Sequence, residues 1–477
     1  MVRELGVGLI YWPELAPLFD ADGLVDVLEL EPQTLWEKRE TSVGPAYHVN
    51  EGLLRELAAR PQAKLLHGVG QPLGGTVDDP IEYLKPWALA IDALDPAWIS
   101  EHLSFNRVRI GESVVNTGFL LPPKQTSAAI DVAANNIRRF SDALRQPVAV
   151  ETGVNYFKRA HGELSDGDYF SAVANRADCG ILLDMHNLWC NEKNGRARVV
   201  DTLERLPLER VWEVHLAGGM ELNGYRLDAH SDVVPPALID LTAELMPKLP
   251  AVGAITFEIL PSHLRRVGLD RVARQLENLQ LLWELRQPRT APPSVWRADW
   301  SNGRRDVPVA CIEEAAAWEA ALLASIRGCP VNSEAFSYLP NDPAIGILRR
   351  LIREARLSSI TRALKYSITL LMLHLGARRT SALLDEYCHE CPADPFVATE
   401  ANHFATFLRR GVERVAEVPY LAEVLAFEHA LVRATLFGEP AEVRWSVDPT
   451  ALFAALDDGC VPRNLSRSSS TLEVTRA

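Results

Sequence analysis

Gly180-Ile181-Leu182-Leu183-Asp184-Met185-His186-Asn187 is an apolar run that stops on an acid. A short continuous apolar run of this kind reads as a buried strand, and Asp184 stands where the strand leaves the core. The same form recurs on both sides. Upstream lie Lys64-Leu65-Leu66-His67, the run 98–103 carrying His102, and Val148-Ala149-Val150-Glu151. Downstream lie Val211-Trp212-Glu213-Val214-His215 and the run 254–258 ending on Glu258, with Asp228 and His230 between them. Eight histidines and acids in this order describe a ring of strands that aim nitrogen and oxygen ligands at one spot.

Adding runs 7–10 and 27–30 makes eight candidate strands. Between them lie stretches of helical period: 83–94, whose Pro86 falls in the first turn where proline is tolerated, then 127–144, 169–177 and 235–248. This is the arithmetic of an α/β fold of the (β/α)8 TIM-barrel type over residues 1–287. An open doubly wound sheet is the competing fold, but no glycine-rich phosphate loop follows the first strand.

Gln287-Pro288-Arg289-Thr290-Ala291-Pro292-Pro293-Ser294 cannot continue a helix, so 288–294 reads as a proline-rich linker. Beyond it, segments 311–325, 344–373, 380–387, 399–416 and 420–437 are helical in period, and 443–447 reads as one strand. A mainly α-helical second domain is expected over 295–462. The polar tail 463–477, with Ser466-Arg467-Ser468-Ser469-Ser470-Thr471, is expected to be disordered.

The 477 residues exceed what one hydrophobic core usually serves, and 47% hydrophobic with 23% charged residues is the make-up of a globular protein. No apolar run is long enough to span a bilayer, and Met1-Val2-Arg3-Glu4-Leu5 leads into a strand instead of a signal-peptide core. A cytoplasmic protein with no membrane partner is expected. A net charge of −14 disfavours partners held through their phosphates, so no nucleic acid is expected either. Seven widely spaced cysteines suit free thiols, and Cys388-His389-Glu390-Cys391 has no second pair at zinc-finger spacing.

A single histidine at a strand end is more often a core or capping residue than a ligand. The joint pattern reverses that weighting. Glu151, Asp184, Asp228 and Glu258 at one barrel mouth would repel one another strongly without cations, and with the histidines they offer donors for two or three divalent ions. Asp228 and His230, two apart on an extended segment, lie on one side of it and can chelate one ion. After Asp184, either Asn187 through its amide oxygen or His186 could turn back to the centre. Asn187 is the preferred ligand, with His186 on the substrate side or holding another ligand in place.

The phrases Leu66-His67-Gly68-Val69-Gly70, Ser100-Glu101-His102-Leu103-Ser104, Leu183-Asp184-Met185-His186-Asn187, Glu213-Val214-His215-Leu216-Ala217-Gly218 and Asp228-Ala229-His230 resemble the multinuclear non-heme iron-dependent oxidative enzymes, a group of xylose-isomerase-like barrels. The resemblance covers about residues 5–285. It implies an oxidoreductase of natural-product biosynthesis that modifies a Cys or Asp of a ribosomally made precursor peptide. The implied cofactors are two to three irons, mixed Fe(II) and Fe(III), with dioxygen as co-substrate. It carries the metal ligands onto His67, His102, Glu151, Asp184, Asn187, His215, Asp228, His230 and Glu258, with His67, His102, Glu151, Asp184, His215 and Glu258 at the heart of catalysis. There are departures. Glu151-Thr152-Gly153 stands where many members have Glu-Asn-Pro, Gln33 where a Glu is common, and Ala217-Gly218-Gly219 lacks the usual His; these alter the substrate shell.

In the second domain, Phe407-Leu408-Arg409-Arg410 and Val418-Pro419-Tyr420-Leu421-Ala422-Glu423-Val424-Leu425-Ala426-Phe427-Glu428 look similar to the separate proteins that present precursor peptides to this oxidase group. The resemblance implies built-in substrate recognition, where tethering raises the local concentration of the peptide. The competing activity is that of a zinc-dependent phosphodiesterase similar to the apurinic endonucleases, which share the barrel and nearly the same ligand order. The acidic charge argues against it.

Overall fold

The apolar runs become strands because an all-parallel sheet is covered on both faces and tolerates few exposed positions. In the computed structural model, which describes residues 2–41, 44–77, 83–287 and 307–475, fifteen strands are found. They are β1 (Gly6–Ile10), β2 (Val27–Leu30), β3 (Trp36–Thr41), β4 (Gly44–Val49), β5 (Ala63–Gly68), β6 (Ile99–His102), β7 (Phe105–Ile110), β8 (Ser113–Leu121), β9 (Val148–Glu151), β10 (Gly180–Asp184), β11 (Val211–Leu222), β12 (Tyr225–Asp232), β13 (Ala254–Glu258), β14 (Ala441–Val447) and β15 (Arg467–Val474). Strands β1, β2, β6, β9, β10 and β13 are buried at every position.

Eight of these close into a ring in the order β1, β2, β5, β6, β9, β10, β11, β13 and back to β1, every pair parallel. This is the (β/α)8 barrel. Val27, Leu65, Trp98, Ala149, Leu182 and Trp212 pack together toward the N-terminal ends of the strands. That end is a dry core, so polar chemistry is left to the opposite mouth. Local signals start the intervening helices. Thr126 accepts from the Ala129 N–H at 3.3 Å to cap helix Ser127–Leu144, and Ser165 accepts from Asp168 N–H at 3.1 Å to cap Asp166–Ala177.

Contacts divide the chain into two units, at places other than those expected. The first comprises Met1–Leu35, Glu51–Val114 and Leu120–Ile345, so it holds the barrel and the helix Val309–Arg327 that follows the proline-rich segment. Trp318 on that helix donates to the Pro122 carbonyl at 2.9 Å, and Glu319 accepts from both the N–H and the hydroxyl of Thr76. A domain beginning at 295 is therefore corrected. The expected linker 288–294 lies outside the described residues.

The second unit comprises Trp36–Asn50, Val115–Phe119 and Gly346–Ala477. Its core gathers Leu370, Tyr387, Phe404, Val424, Trp445 and Leu452 from its helices and β14. The helix Lys365–Glu390 bends at Gly376, whose φ of 76° a side chain would resist. A buried pair, Arg356 Nε to Glu400 Oε1 at 2.6 Å, also binds the Cys388 carbonyl, so the Cys388–Cys391 segment is anchored through its backbone. The expected disorder of 463–477 is also corrected over the described residues: β15 pairs antiparallel with β14 and buries Val474. Apart from Val474 its residues are exposed or half-buried, which is why composition alone read as disorder. No helix among the described residues is long and apolar enough to cross a membrane.

Candidate metal centre

The strand ends deliver their side chains to the C-terminal mouth of the barrel. In register, His102 lies beside Glu151 and Asp184 beside His215, while Glu258 pairs with Ala217, two residues beyond His215. Three sets of possible ligands result, each with its donor atoms within 4.8 Å of one another. They are His67, His102 and Glu151; His67, His215 and Glu258; and Asp184, His230 and Glu258. His67 and Glu258 are each shared by two sets, so the three adjoin.

The contacts within these sets are close but are not hydrogen bonds. Glu151 Oε2 lies 3.1 Å from His67 Nε2 and 3.3 Å from His102 Nε2, yet has no hydrogen-bond partner. His215 Nδ1 lies 3.2 Å from Glu258 Oε2, and His230 Nε2 lies 2.9 Å from Asp228 Oδ1 and 3.4 Å from Glu258 Oε2; both nitrogens are likewise unpartnered. Asp184 Oδ2 and Asn187 Oδ1 complete the series. Buried polar atoms are nearly always paired. Five orphaned polar atoms, three oxygens and two ring nitrogens, gathered at one mouth fit a group that accepts lone pairs, which is what a metal ion does.

Their other atoms are tied down. Asp184 caps the helix Met185–Lys193 by accepting from the Asn187 N–H at 2.8 Å with Oδ1, so capping and site duty fall to different oxygens. Asn187 donates from Nδ2 to Glu151 Oε1 at 2.7 Å. His67 Nδ1 meets Ser100 Oγ at 2.9 Å, and His102 Nδ1 meets the Gly68 carbonyl at 3.1 Å. Such contacts fix ring orientation and leave the Nε2 atoms toward the centre.

His186 is elsewhere. Its ring is fully buried, with Nδ1 3.0 Å from Asp228 Oδ1 and Nε2 3.7 Å from Cys190 Sγ. Gly219 lets it sit there, since a Cβ at that position would come within 2.8 Å of the ring and collide with the Leu227 carbonyl. His230 adopts the left-handed region at φ 41°, an uncommon conformation for a residue with a side chain, and strain of this kind gathers at functional sites.

Burial and mutual charge set the electrostatics. Burial, then the Asp184 charge, pushes Glu151 well up, and burial with Asp228 and Glu258 raises Asp184 to about 6. For Asp228 and Glu258 burial acts in the same sense, but neighbouring imidazoles outweigh it and hold both well below the usual carboxylate range. His67 is lowered by burial and by the other imidazoles. A second positive charge source in the mouth would relieve the repulsion that raises Glu151 and Asp184.

Reading the sequence missed Glu29 and Glu213, which with His215 form a fourth set just inside the mouth. The signal was present. Val27-Leu28-Glu29-Leu30 and Val211-Trp212-Glu213-Val214 each place a charge inside a strand buried on both faces, where carboxylates are rare. It also missed hairpin β11–β12, whose turn carries Asn223 at φ 50° and Gly224 at φ 80°; an Asn-Gly pair favours a two-residue hairpin turn.

Residues 40–259 match the family described as RiPP precursor modification enzyme MbnB/TglH/ChrH. The chain is 33% identical to a UPF0276 protein of Streptomyces avermitilis over 258 residues, 53% of this chain and 50% of that protein. It is 30% identical to a UPF0276 protein of Anaeromyxobacter sp. over 202 residues, 42% of this chain and 69% of that one. This chain thus spans half the length of the Streptomyces relative. Among solved structures, a xylose isomerase domain containing protein from Salmonella typhimurium LT2 aligns with 60% of this chain and 99% of its own, at 14% identity and a TM-score of 0.38. With its ordered site residues inside the matched span, the chain belongs to the MbnB/TglH/ChrH family of RiPP precursor modification enzymes.

Proposed function

We propose that this protein is an iron- and dioxygen-dependent oxidase that modifies a Cys or Asp side chain of a ribosomally made precursor peptide. The observation that carries the reading is the set of buried, unpartnered side-chain atoms on Glu151, Asp184, Asn187, His215 and His230. With His67, His102, Asp228 and Glu258 they would hold two or three irons. Irons bound there would supply redox chemistry with dioxygen that the side chains cannot perform themselves. The chain's own part is positioning. Ser100 and the Gly68 carbonyl orient the rings of His67 and His102, the helix start at Asp184 turns Asn187 inward, and His186 steadies Asp228. A precursor peptide as substrate rests on family membership. The second unit, which carries the partner-like segments 407–410 and 418–428, would hold the peptide's leader and raise its local concentration.

The test is anaerobic reconstitution of the full chain followed by exposure to dioxygen with any short Cys- or Asp-containing peptide that a neighbouring reading frame encodes. The expected result is two to three irons per chain and a mass change on one peptide residue. Full activity with stoichiometric zinc, and none with iron, would sink the reading in favour of a hydrolase.

A further inference from the structure

Behind His215 lie two carboxylates that the reaction does not itself require. Glu29 on β2 and Glu213 on β11 are both wholly buried. Glu29 Oε2 is 3.1 Å from His215 Nε2, and Glu213 Oε1 is 3.5 Å from the same nitrogen. Glu213 is built in from two further sides, accepting from Trp98 Nε1 at 2.9 Å and from the Thr256 hydroxyl at 3.0 Å. Glu29 and Glu213 thus meet one nitrogen of one imidazole, with Trp98 and Thr256 holding Glu213 from behind.

A neutral imidazole carries one proton and presents one lone pair. At Nε2 His215 meets carboxylate oxygens that can accept a hydrogen bond. At Nδ1 it meets Glu258 at 3.2 Å in a geometry that makes none. The proton belongs on Nε2, which leaves the Nδ1 lone pair for the mouth. Even if Glu29 and Glu213 share a proton between them, an oxygen remains to accept from Nε2. Stability alone does not call for this arrangement, because apolar side chains of similar volume usually cost less in a core than buried charges.

We propose that Glu29 and Glu213 are positioning residues that fix the tautomer and tilt of His215, so that Nδ1 serves as the ligand. This rests on the reading of the mouth as a metal centre. The rival assignment is a further ion held by Glu29, Glu213 and Nε2 themselves, whose donors lie within 4.8 Å. It would require His215 to give up both nitrogens if Nδ1 also serves the mouth, and Glu213 to bind through oxygens that already accept from Trp98 and Thr256.

The experiment is anaerobic titration of the full-length protein with Co(II), read by its visible absorption, and with Fe(II), read by bound metal per chain. Wild type is compared with Glu29→Gln, Glu29→Leu and Glu213→Gln. Glutamine keeps an oxygen that accepts from Nε2, whereas leucine does not. The expected result is near wild-type binding in both glutamine variants. Glu29→Leu should bind one ion about 10–100-fold more weakly with an altered Co(II) spectrum, as when other partners of a ligating histidine are removed. Its melting temperature without metal should stay at or above that of wild type. If Glu29→Leu does not fold, Trp98→Phe, which withdraws one donor from Glu213, should shift the Co(II) spectrum in the same sense. Unchanged affinity and spectrum in Glu29→Leu or, failing its folding, in Trp98→Phe overturn the proposal. Loss of a whole ion in the glutamine variants overturns it in favour of the rival ion. Wild type that binds no metal overturns the reading of the mouth itself.

Discussion

Asn187 donates its amide hydrogen to Glu151 Oε1 at 2.7 Å and turns its own oxygen, unpartnered, toward the barrel mouth. The neighbouring His186 points instead at Asp228. Asn187→Ala is therefore expected to lose metal, measured as ions per chain. His186→Ala should keep the full count and lose about 10–100-fold in activity through a looser Asp228. A His186→Ala protein short of one ion, beside an Asn187→Ala protein with its full complement, would reverse the assignment.

His230 carries a conformational constraint as well as a donor atom. Asparagine enters the left-handed region more readily than other side-chain-bearing residues, and alanine does not share that ease. His230→Asn should melt close to wild type in the absence of metal, and His230→Ala should be less stable than His230→Asn by about 1 kcal/mol. Both should bind less metal. Equal stability of the two variants would show that φ 41° stores no strain.

Much of the barrel was legible because its strands are buried on both faces, so 148–151, 180–184 and 254–258 read as apolar runs with a ligand at the last residue. Hairpin β11–β12 was not, since beyond Gly218 β11 leaves the core, with Met220 exposed. Nor were the unit boundaries. The hairpin β3–β4 belongs with residues far along the chain, and no local pattern records a contact such as Lys38 to Asp394 at 2.6 Å. Glu29 and Glu213 lie inside their strands, where a pattern of ligands at strand ends does not reach.

Glu319 gives the first unit a pH dependence. Burial pushes its carboxyl up to about 7 despite the opposing hydrogen bonds from Thr76, against 4.5 when exposed. A carboxyl raised in the folded state contributes stability that is fully present below pH 4.5 and is lost as pH climbs to about 7, with no further change above. Glu319→Gln cannot ionise. Its stability relative to wild type should rise across that window, by at most about 3 kcal/mol. Urea melts of both proteins at pH 5, 6 and 8 measure the difference, and a gap that does not vary with pH would refute the assignment.

The same residue bears on where the chain can be cut. Division in the proline-rich segment near Pro292 looks natural from sequence, but the helix Val309–Arg327 belongs to the first unit. Its Trp318 packs against Phe157 at 5.9 Å between ring centroids and against Phe336 at 5.5 Å, and is 4% exposed. A cut there removes Trp318 and Phe336 together, uncovers Phe157 and leaves Thr76 without its acceptor. A chain ending at 287 should therefore be less stable than one ending at 345, by more than the roughly 3–5 kcal/mol that loss of one buried tryptophan costs. Both truncations remove 346–477 and keep the hairpin β3–β4 alike, so the comparison isolates residues 288–345, the helix among them. Hydrogen exchange should show the segment 70–77 losing protection only in the shorter chain. Equal melting of the two, with segment 70–77 equally protected, would mean that the helix is carried by the barrel without supporting it.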